Sequence, residues 1–437
     1  MDIINGFSKL SREEKLQLLM QKFPHTHNRL DILQRFIEPK EDISEIIEKL
    51  SENYISNYIL PFSVAPNFLI DDRMYFVPMV TEESSVVAAA SYAAKFWAVH
   101  GGFRTWVTGT KKTGHIFFTW TGKADKIERA FPEIKEELVN AVAYHMSNMI
   151  KRGGGIYAIK LVRANNTVAD YYEIMVEFET IDAMGANFIN SALELMSSKL
   201  LTYISEHFAD DEGRADIVMS ILSNYNPECL VECEVSCKID EFLPVSAHMS
   251  PGRFAEKFAQ AVLISHQNTS RAVTNNKGIY NGMDAVLIAT ANDFRAAEAC
   301  GHAYAAKDGM YRGLTNVFIE QNEFTFRLTV PLPLGTVGGV TSIHPMAGLA
   351  LEILGNPSAT DLMRIVAATG LASNFAAIRT LITEGIQKGH MKLHLNNILN
   401  LCKAEGFEKE KVENYFESHP VSFRAVTDYL TSLRNNK

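Results

Sequence analysis

Apolar residues recur at helical spacing over residues 11–23 and 42–55, and Ser11 with Glu14 reads as a capping box opening the first helix. Residues 67–78 change period. Two strand-like runs meet at Asp71-Asp72, which predicts a tight hairpin. Residues 83–99 are alanine-rich and helix-forming, with Glu82 and Glu83 placed where carboxylates complement the helix dipole. A second unit begins near Thr108. Its GHIFFTWTG run predicts a strand and residues 124–150 an amphipathic helix; IYAIKLVR and YYEIMVEFET are strands after Gly153-Gly154-Gly155, and residues 183–204 return to helix. That β-α-β-β-α order is most of a ferredoxin-like split βαβ unit. Toward the C-terminus, residues 376–387 form a helix that Gly389 stops, 393–403 another, and 408–417 with 420–433 a helix pair joined at a break.

A chain of 437 residues is too long for one simple core and predicts two or three domains. With 47% hydrophobic and 21% charged residues it reads as globular rather than disordered. A net charge of -9 lacks the basic footprint of a nucleic-acid binder. The N-terminus shows no secretory pattern, and the most apolar early stretch, 86–99, is too short to cross a bilayer, so a cytoplasmic protein with no membrane partner is expected. Its five cysteines are then reduced. Cys229, Cys233 and Cys237 lack the C-x2-C spacing of zinc sites, and the alternation around them predicts a strand with Cys233 and Cys237 on one face; no metal is expected.

The chemistry concentrates between Arg271 and Arg295, where Lys277, Asn281, Asp284, Asp293 and Arg295 surround an apolar run, 285–291. Lys and Asp are rarely buried unless paired, which predicts an ion pair between Lys277 and Asp293 held out of water, able to stabilise developing negative charge. Taken singly, each residue also fits a surface loop, a core element or a helix cap. The run Asp182-Ala183-Met184-Gly185-Ala186-Asn187 opens a helix with small residues, so that a phosphate or ribose can approach free backbone N–H groups; an Asp cap with tight helix packing explains it equally. Gly335-Thr336-Val337-Gly338-Gly339 forms a glycine-rich turn, and His390 sits in a helix break, as a structural hydrogen bonder or a proton donor. No dinucleotide G-x-G-x-x-G after a strand, P-loop, H-E-x-x-H or G-x-S-x-G is present.

The pieces ENYIS (52–56), PMVTEESSVVAAAS (78–91), DAMGAN (182–187), NKGIYNGMD (276–284), ATANDFRA (289–296), GTVGG (335–339) and EGIQKGHM (384–391) occur in an order that strongly resembles class II hydroxymethylglutaryl-CoA reductase, over almost the whole chain. The resemblance implies an α/β fold: a large α/β substrate domain (1–107 and 219–378), an inserted ferredoxin-like cofactor domain (108–218) and a helical C-terminal flap (379–437). It implies catalytic residues Glu83, Lys277, Asp293 and His390, and substrate contacts at Ser85, Arg271, Thr274 and Asn281, with Glu52 and Asn53 toward coenzyme A. Asp182, Ala183, Met184, Gly185, Asn187, Gly335, Gly338 and Gly339 would face the cofactor, NADPH or NADH. Lys151 and Arg152, beside the glycine run, lean slightly toward NADPH, and solvated residues at a helix end explain them equally. The implied partners are HMG-CoA, or mevalonate plus CoA, and a second copy of the chain in a homodimer or higher even oligomer.

Three departures accompany the resemblance: ENYIS in place of ENVIG, Ser373 in place of a Gln, and Ala291 where Gly is common. The ENYIS and Ser373 departures keep open a reductase of another acyl-CoA. A catalytically inactive CoA-binding paralogue would lose part of the catalytic quartet, and a non-enzymatic scaffold leaves a Lys, an Asp and a His at structural breaks unexplained.

Overall fold

The computed structural model describes residues 4, 6–23, 31–163, 171–245, 248–383, 395–396, 398–416 and 418–435. Three short helices come first: α1 (Arg12–Lys22), α2 (Asp31–Arg35) and α3 (Glu41–Glu48). The capping box of α1 forms, with Ser11 N donating to the Glu14 carboxylate at 2.7 Å and Glu14 N to Ser11 Oγ at 3.2 Å. α3 stops at Glu48 rather than continuing to residue 55, and Asn53 takes a left-handed φ of 57°. Ser56 Oγ donates to Leu33 O at 2.6 Å and ties the ENYIS segment back to α2.

β1 (Phe62–Ile70) and β2 (Arg73–Val80) make the expected hairpin. Asp71 and Asp72 both adopt positive φ, 46° and 66°, as a two-residue turn matched to strand twist requires. α4 (Val86–Ala98) packs on this hairpin through Ala90, Ala93, Ala94 and Trp97. β3 (Arg104–Val107) leads into the smaller unit: β4 (Lys112–Trp120), α5 (Ala124–Ala141), α6 (Ala143–Lys151), β5 (Gly155–Arg163), β6 (Tyr171–Glu179), α7 (Ala186–His207) and β7 (Ala215–Leu222). Its antiparallel strand order β5-β6-β4-β7 completes a ferredoxin-like sheet. The single helix expected over 124–150 breaks at Val142, whose φ of -102° and ψ of 2° leave the helical region. β7 supplies the strand that the pattern lacked, and it spans residue 218, so a boundary there falls inside a strand.

The chain then returns to the larger unit with β8 (Leu230–Lys238), α8 (Pro251–Gln267), α9 (Thr269–Ala289), α10 (Phe294–Ala305), β9 (Thr315–Glu320), β10 (Glu323–Pro331), α11 (Pro345–Ile353) and α12 (Ala359–Ile382). A second antiparallel sheet, β3-β8-β10-β9, covers the core. On β8, Val231, Cys233, Val235 and Cys237 all face inward, so the two cysteines share the buried face, and burial pushes the Cys237 thiol up to about 12. α12 is long and apolar enough to cross a membrane, yet 72% of its apolar window is buried inside the protein, as befits the helix at the centre of the core. Phe96 stacks on Phe375 of α12, while Trp97 meets Phe375 edge-on and Phe258 packs against it at a tilt. α13 (Phe407–Phe416) and α14 (Phe423–Asn435) close a separate small core with Leu395, Ile398 and Leu399.

α9 and α12 cross closely because glycines stand at the contact. A Cβ on Gly282 would meet Ser373 Oγ at 2.3 Å and Thr369 O at 2.5 Å, and one on Gly370 would meet Met283 Cγ at 2.7 Å. Gly282→Ala is therefore expected to destabilise the protein by about 1–3 kcal/mol through overpacking, read as a lowered urea midpoint; an unchanged midpoint would contradict this packing.

Candidate active site

Arg271, Thr274, Lys277 and Asn281 recur three or four residues apart along α9 and so share one face, which forms a wall of a cavity of ≈ 400 Å³. The entry to α4 contributes Glu83 and Ser85, and α12 contributes Ser373, Asn374 and Arg379. Lys277 lies in the middle of a helix, not at a break. Its Nζ reaches Glu83 Oε2 at 3.5 Å, while Ser85 Oγ donates to Glu83 Oε1 at 2.9 Å instead of capping α4.

The expected buried pair of Lys277 with Asp293 does not form. Lys277 is 64% exposed, and Asp293 is engaged elsewhere: it caps α10, accepting from Ala296 N at 3.0 Å, and pairs with Arg295 at 3.4 Å. Asp293 is not part of the cavity lining, nor are Glu52 and Asn53, which lie on an exposed turn before β1. His390 falls outside the described residues.

Charge on the cavity wall is predominantly positive. Arg271 is half-buried, bonded to Asn275 Oδ1 at 3.5 Å, and has no acidic partner among the described residues; burial pulls its guanidinium below its ordinary value. Arg379 donates to Val245 O and lies over the Tyr92 ring. Among the described residues, three cations thus line the cavity with one carboxylate, Glu83, an arrangement that favours an anionic ligand.

Sequence reading missed the support behind this wall. Asn275 Nδ2 donates to Thr315 Oγ1 at 3.2 Å, Thr315 Oγ1 donates to Asn374 Oδ1 at 3.2 Å, and Asn374 Nδ2 returns to Asn275 O at 2.9 Å. All three side chains are buried, so the ring is closed by their own hydrogen bonds. Its only signal was the Asn275-Asn276 pair inside a helical pattern. Ser373, also buried, has an Oγ with no hydrogen-bond partner.

The two glycine-containing segments meet at the junction between the small sheet and the large unit. Thr336 N and Val337 N donate to Asp182 O at 2.8 and 3.3 Å, and Ala183 bridges Val337. A Cβ on Gly335 would meet Met184 N at 2.3 Å, which leaves no space for any other residue. Asp182 does not cap the helix it precedes. Its carboxylate caps α12, accepting from Ala359 N at 2.8 Å, while α7 begins at Gly185 (φ 89°) with no side-chain cap. Gly338 and Gly339 have positive φ and open space where a Cβ would stand. Uncapped helix N–H groups beside such a turn make a cradle that fits a phosphate-bearing cofactor. Met184 and Asn187 stand at this same turn, Asn187 exposed.

Comparison with known proteins shows the family and the fold. The family model described as hydroxymethylglutaryl-coenzyme A reductase matches residues 11–395. The chain belongs to the hydroxymethylglutaryl-coenzyme A reductase family. It is 32% identical to the 3-hydroxy-3-methylglutaryl-coenzyme A reductase of Archaeoglobus fulgidus over 94% of this chain and 89% of that one. It is 31% identical to a probable reductase of Borreliella burgdorferi over 94% and 93%. The Streptococcus pneumoniae reductase structure superposes with a TM-score of 0.71 at 34% identity, covering 98% of this chain and 99% of that one. A class II structure from the same organism, bound to NADPH in open conformations, matches at 35% identity, covering 87% and 99%, with a TM-score of 0.70. A member of this family is an NAD(P)H-dependent oxidoreductase, and a CoA thioester is its substrate.

The Ala291 departure has a structural cost. α9 ends in a Schellman turn: Ala291 N donates to Ile288 O at 3.1 Å and Asn292 N to Leu287 O at 2.8 Å, with Ala291 at a left-handed φ of 52°. The turn places the Asn292 side chain to accept from Gly335 N at 2.9 Å. A Cβ in that conformation costs roughly 1–2 kcal/mol, partly offset in a Gly variant by about 0.4–1 kcal/mol of unfolded-state entropy. Ala291→Gly should therefore raise the urea midpoint modestly; a lowered midpoint would show that the alanine is not strained.

On the same helix, burial, and then the Glu298 and Glu82 carboxylates, push Asp284 up from 3.8 to about 8. Between about pH 4 and 8 the folded chain thus retains a proton that the unfolded chain has released, so this group's contribution to stability falls as pH rises through that window. Asp284→Asn is expected to flatten the decline in stability between pH 5 and 8 relative to the parent; parallel melting curves across that range would overturn the assignment.

Proposed function

We propose that this chain interconverts HMG-CoA and mevalonate plus free CoA at the cavity between α4, α9 and α12. The observation that carries the reading is the Lys277–Glu83 pair, 3.5 Å apart on a wall where Arg271 lacks a carboxylate partner among the described residues. Arg271 takes the substrate carboxylate, with Ser85, Thr274 and Asn281 orienting the acyl group and Glu52 and Asn53 toward coenzyme A. The Lys277 ammonium stands where the thioester oxygen gathers negative charge. Glu83 supplies a proton to that oxygen as the aldehyde becomes an alcohol, and His390 protonates the departing thiolate. Asp293 completes the set through Lys277 once the site is closed.

The nicotinamide cofactor supplies one hydride for each of the two reductions. Asp182, Ala183, Met184, Gly185 and Asn187, opposite Gly335, Gly338 and Gly339, hold it. Lys151 and Arg152, exposed where α6 ends, favour NADPH over NADH. The working form is a cytoplasmic homodimer, in which a second subunit and the C-terminal helical flap cover the exposed Lys277 and the half-buried Glu83.

The test is HMG-CoA-dependent oxidation of NADPH and NADH by the purified protein, with mevalonate identified as product. Lys277→Ala is expected to lower kcat by at least about 10²–10³-fold, the scale of losing one oxyanion stabiliser, with the fold intact by circular dichroism. Near-parental turnover in that variant would remove Lys277 from the chemistry, and no turnover by the parent with either cofactor would overturn the reading as a whole.

A further inference from the structure

Along β4 the inward phase falls on Lys112, Gly114, Ile116, Phe118 and Trp120, so a lysine occupies a core position. Lys112 is only 2% exposed. Its Nζ donates to Thr180 Oγ1 at 2.6 Å and to Ala183 O at 2.9 Å, and Thr180 Oγ1 also donates to Ala183 O at 2.6 Å. Among the described residues no carboxylate lies within ion-pair distance of this ammonium, although Glu179 and Asp182 are near enough to favour its charge. Burial opposes that charge and pulls the group below its ordinary value.

Burying an ammonium against neutral oxygens is costly, and core packing alone would be served better by an apolar residue. Its position supplies a reason. Ala183 lies in the turn before the uncapped start of α7, and that turn is held on its far side by Thr336 N, Val337 N and the Asp182 carboxylate on α12. Lys112 is the contact that grips the turn from beneath. It also sits beside the two connections between the units, where Thr108 N donates to Leu230 O and Leu230 N to Gly109 O.

We infer that Lys112 is a positioning residue for the nicotinamide dinucleotide: it fixes the carbonyl of Ala183 and places a positive charge, with no ion-pair partner among the described residues, under the turn that receives the cofactor's phosphates. This rests on the cofactor reading given above. The ammonium does not touch the ligand. It acts by holding the turn and by adding to the field of the α7 N-terminus, and it is itself stabilised when a phosphate dianion or pyrophosphate lies across the turn.

Lys112→Met retains an unbranched stem and removes the charge. Removing a hydrogen bond to a charged group predicts a rise of roughly tenfold in the KM and Kd of NADPH, with the KM for HMG-CoA within about twofold of the parent and a weaker dependence of NADPH binding on salt. Thr180→Val, isosteric, removes the hydroxyl that accepts from Lys112 and donates to Ala183 O, and should shift NADPH binding a few-fold in the same direction; it tests the grip on the turn if Lys112→Met does not fold. A parental enzyme that turns over while both variants keep parental NADPH constants would overturn the role of Lys112 alone. HMG-CoA and NADPH constants rising together would do the same, by showing a merely structural lysine. A parental protein that neither binds nor oxidises NADPH or NADH would sink the cofactor reading and this inference together.

Discussion

The site depends on how closely α9 and α12 approach. Gly282 on one helix and Gly370 on the other remove the side chains that would hold the axes apart, and Ser373 and Met283 fill the space. With the helices pressed together, the α9 face carrying Arg271, Thr274, Lys277 and Asn281 and the α12 face carrying Ser373, Asn374 and Arg379 become two sides of one cavity. A wider crossing would separate those faces and break the Asn275–Thr315–Asn374 ring, which spans both helices and the start of β9. Core packing and site geometry are therefore one constraint here, set by two missing side chains.

The same economy appears at the junction of the two units. Asp182 uses its carbonyl to hold the glycine turn and its carboxylate to cap α12, so a residue of the small sheet stabilises the first turn of the helix at the centre of the large core. A helix start leaves backbone N–H groups unsatisfied, and a carboxylate there also complements the dipole. The proposed cofactor turn thereby sits at one end of α12 and the proposed substrate pocket along its C-terminal half, joined by a rigid element of 24 residues. Binding at either end does not have to organise the other; the helix already does so.

Local rules made much of this legible. The capping box at Ser11, the hairpin at Asp71-Asp72, and alternation on β4, β6 and β8 are short-range signals, and the structure forms each of them. Where short-range signals were overridden, tertiary contacts are responsible. The 42–55 pattern stops early because Ser56 and Asn57 bond back to Leu33 and Phe36, and the 124–150 helix breaks at Val142, a residue buried in the small core. The cavity lining was legible as helical spacing once α9 is recognised as one helix. Its partners were not: Asn275, Thr315 and Asn374 are far apart in sequence, and only folding shows that their polar groups satisfy one another. Lys112 was readable in principle, since strand alternation puts it on the buried phase, but a lysine beside Lys111 in a turn-rich stretch looks like a solvated charge.

The failed Lys277–Asp293 pair carries the last step. Charges about 4 Å apart interact by about 1 kcal/mol in water and several-fold more at the lower effective dielectric near a protein surface, so an exposed Lys277 facing Glu83 is a weak electrostatic device as it stands. Asp293 in the meantime satisfies the N-terminus of α10, which costs nothing in solvent and keeps its carboxylate oriented. A single chain thus holds the charged groups of the proposed chemistry in positions where water masks them. Strong stabilisation of a developing oxyanion requires that water be displaced and that such dipoles be fixed before the reaction. Besides the His390 assigned above to the flap, what a covering surface would contribute is therefore a change of dielectric around groups that α9, α10 and the entry to α4 already hold in place.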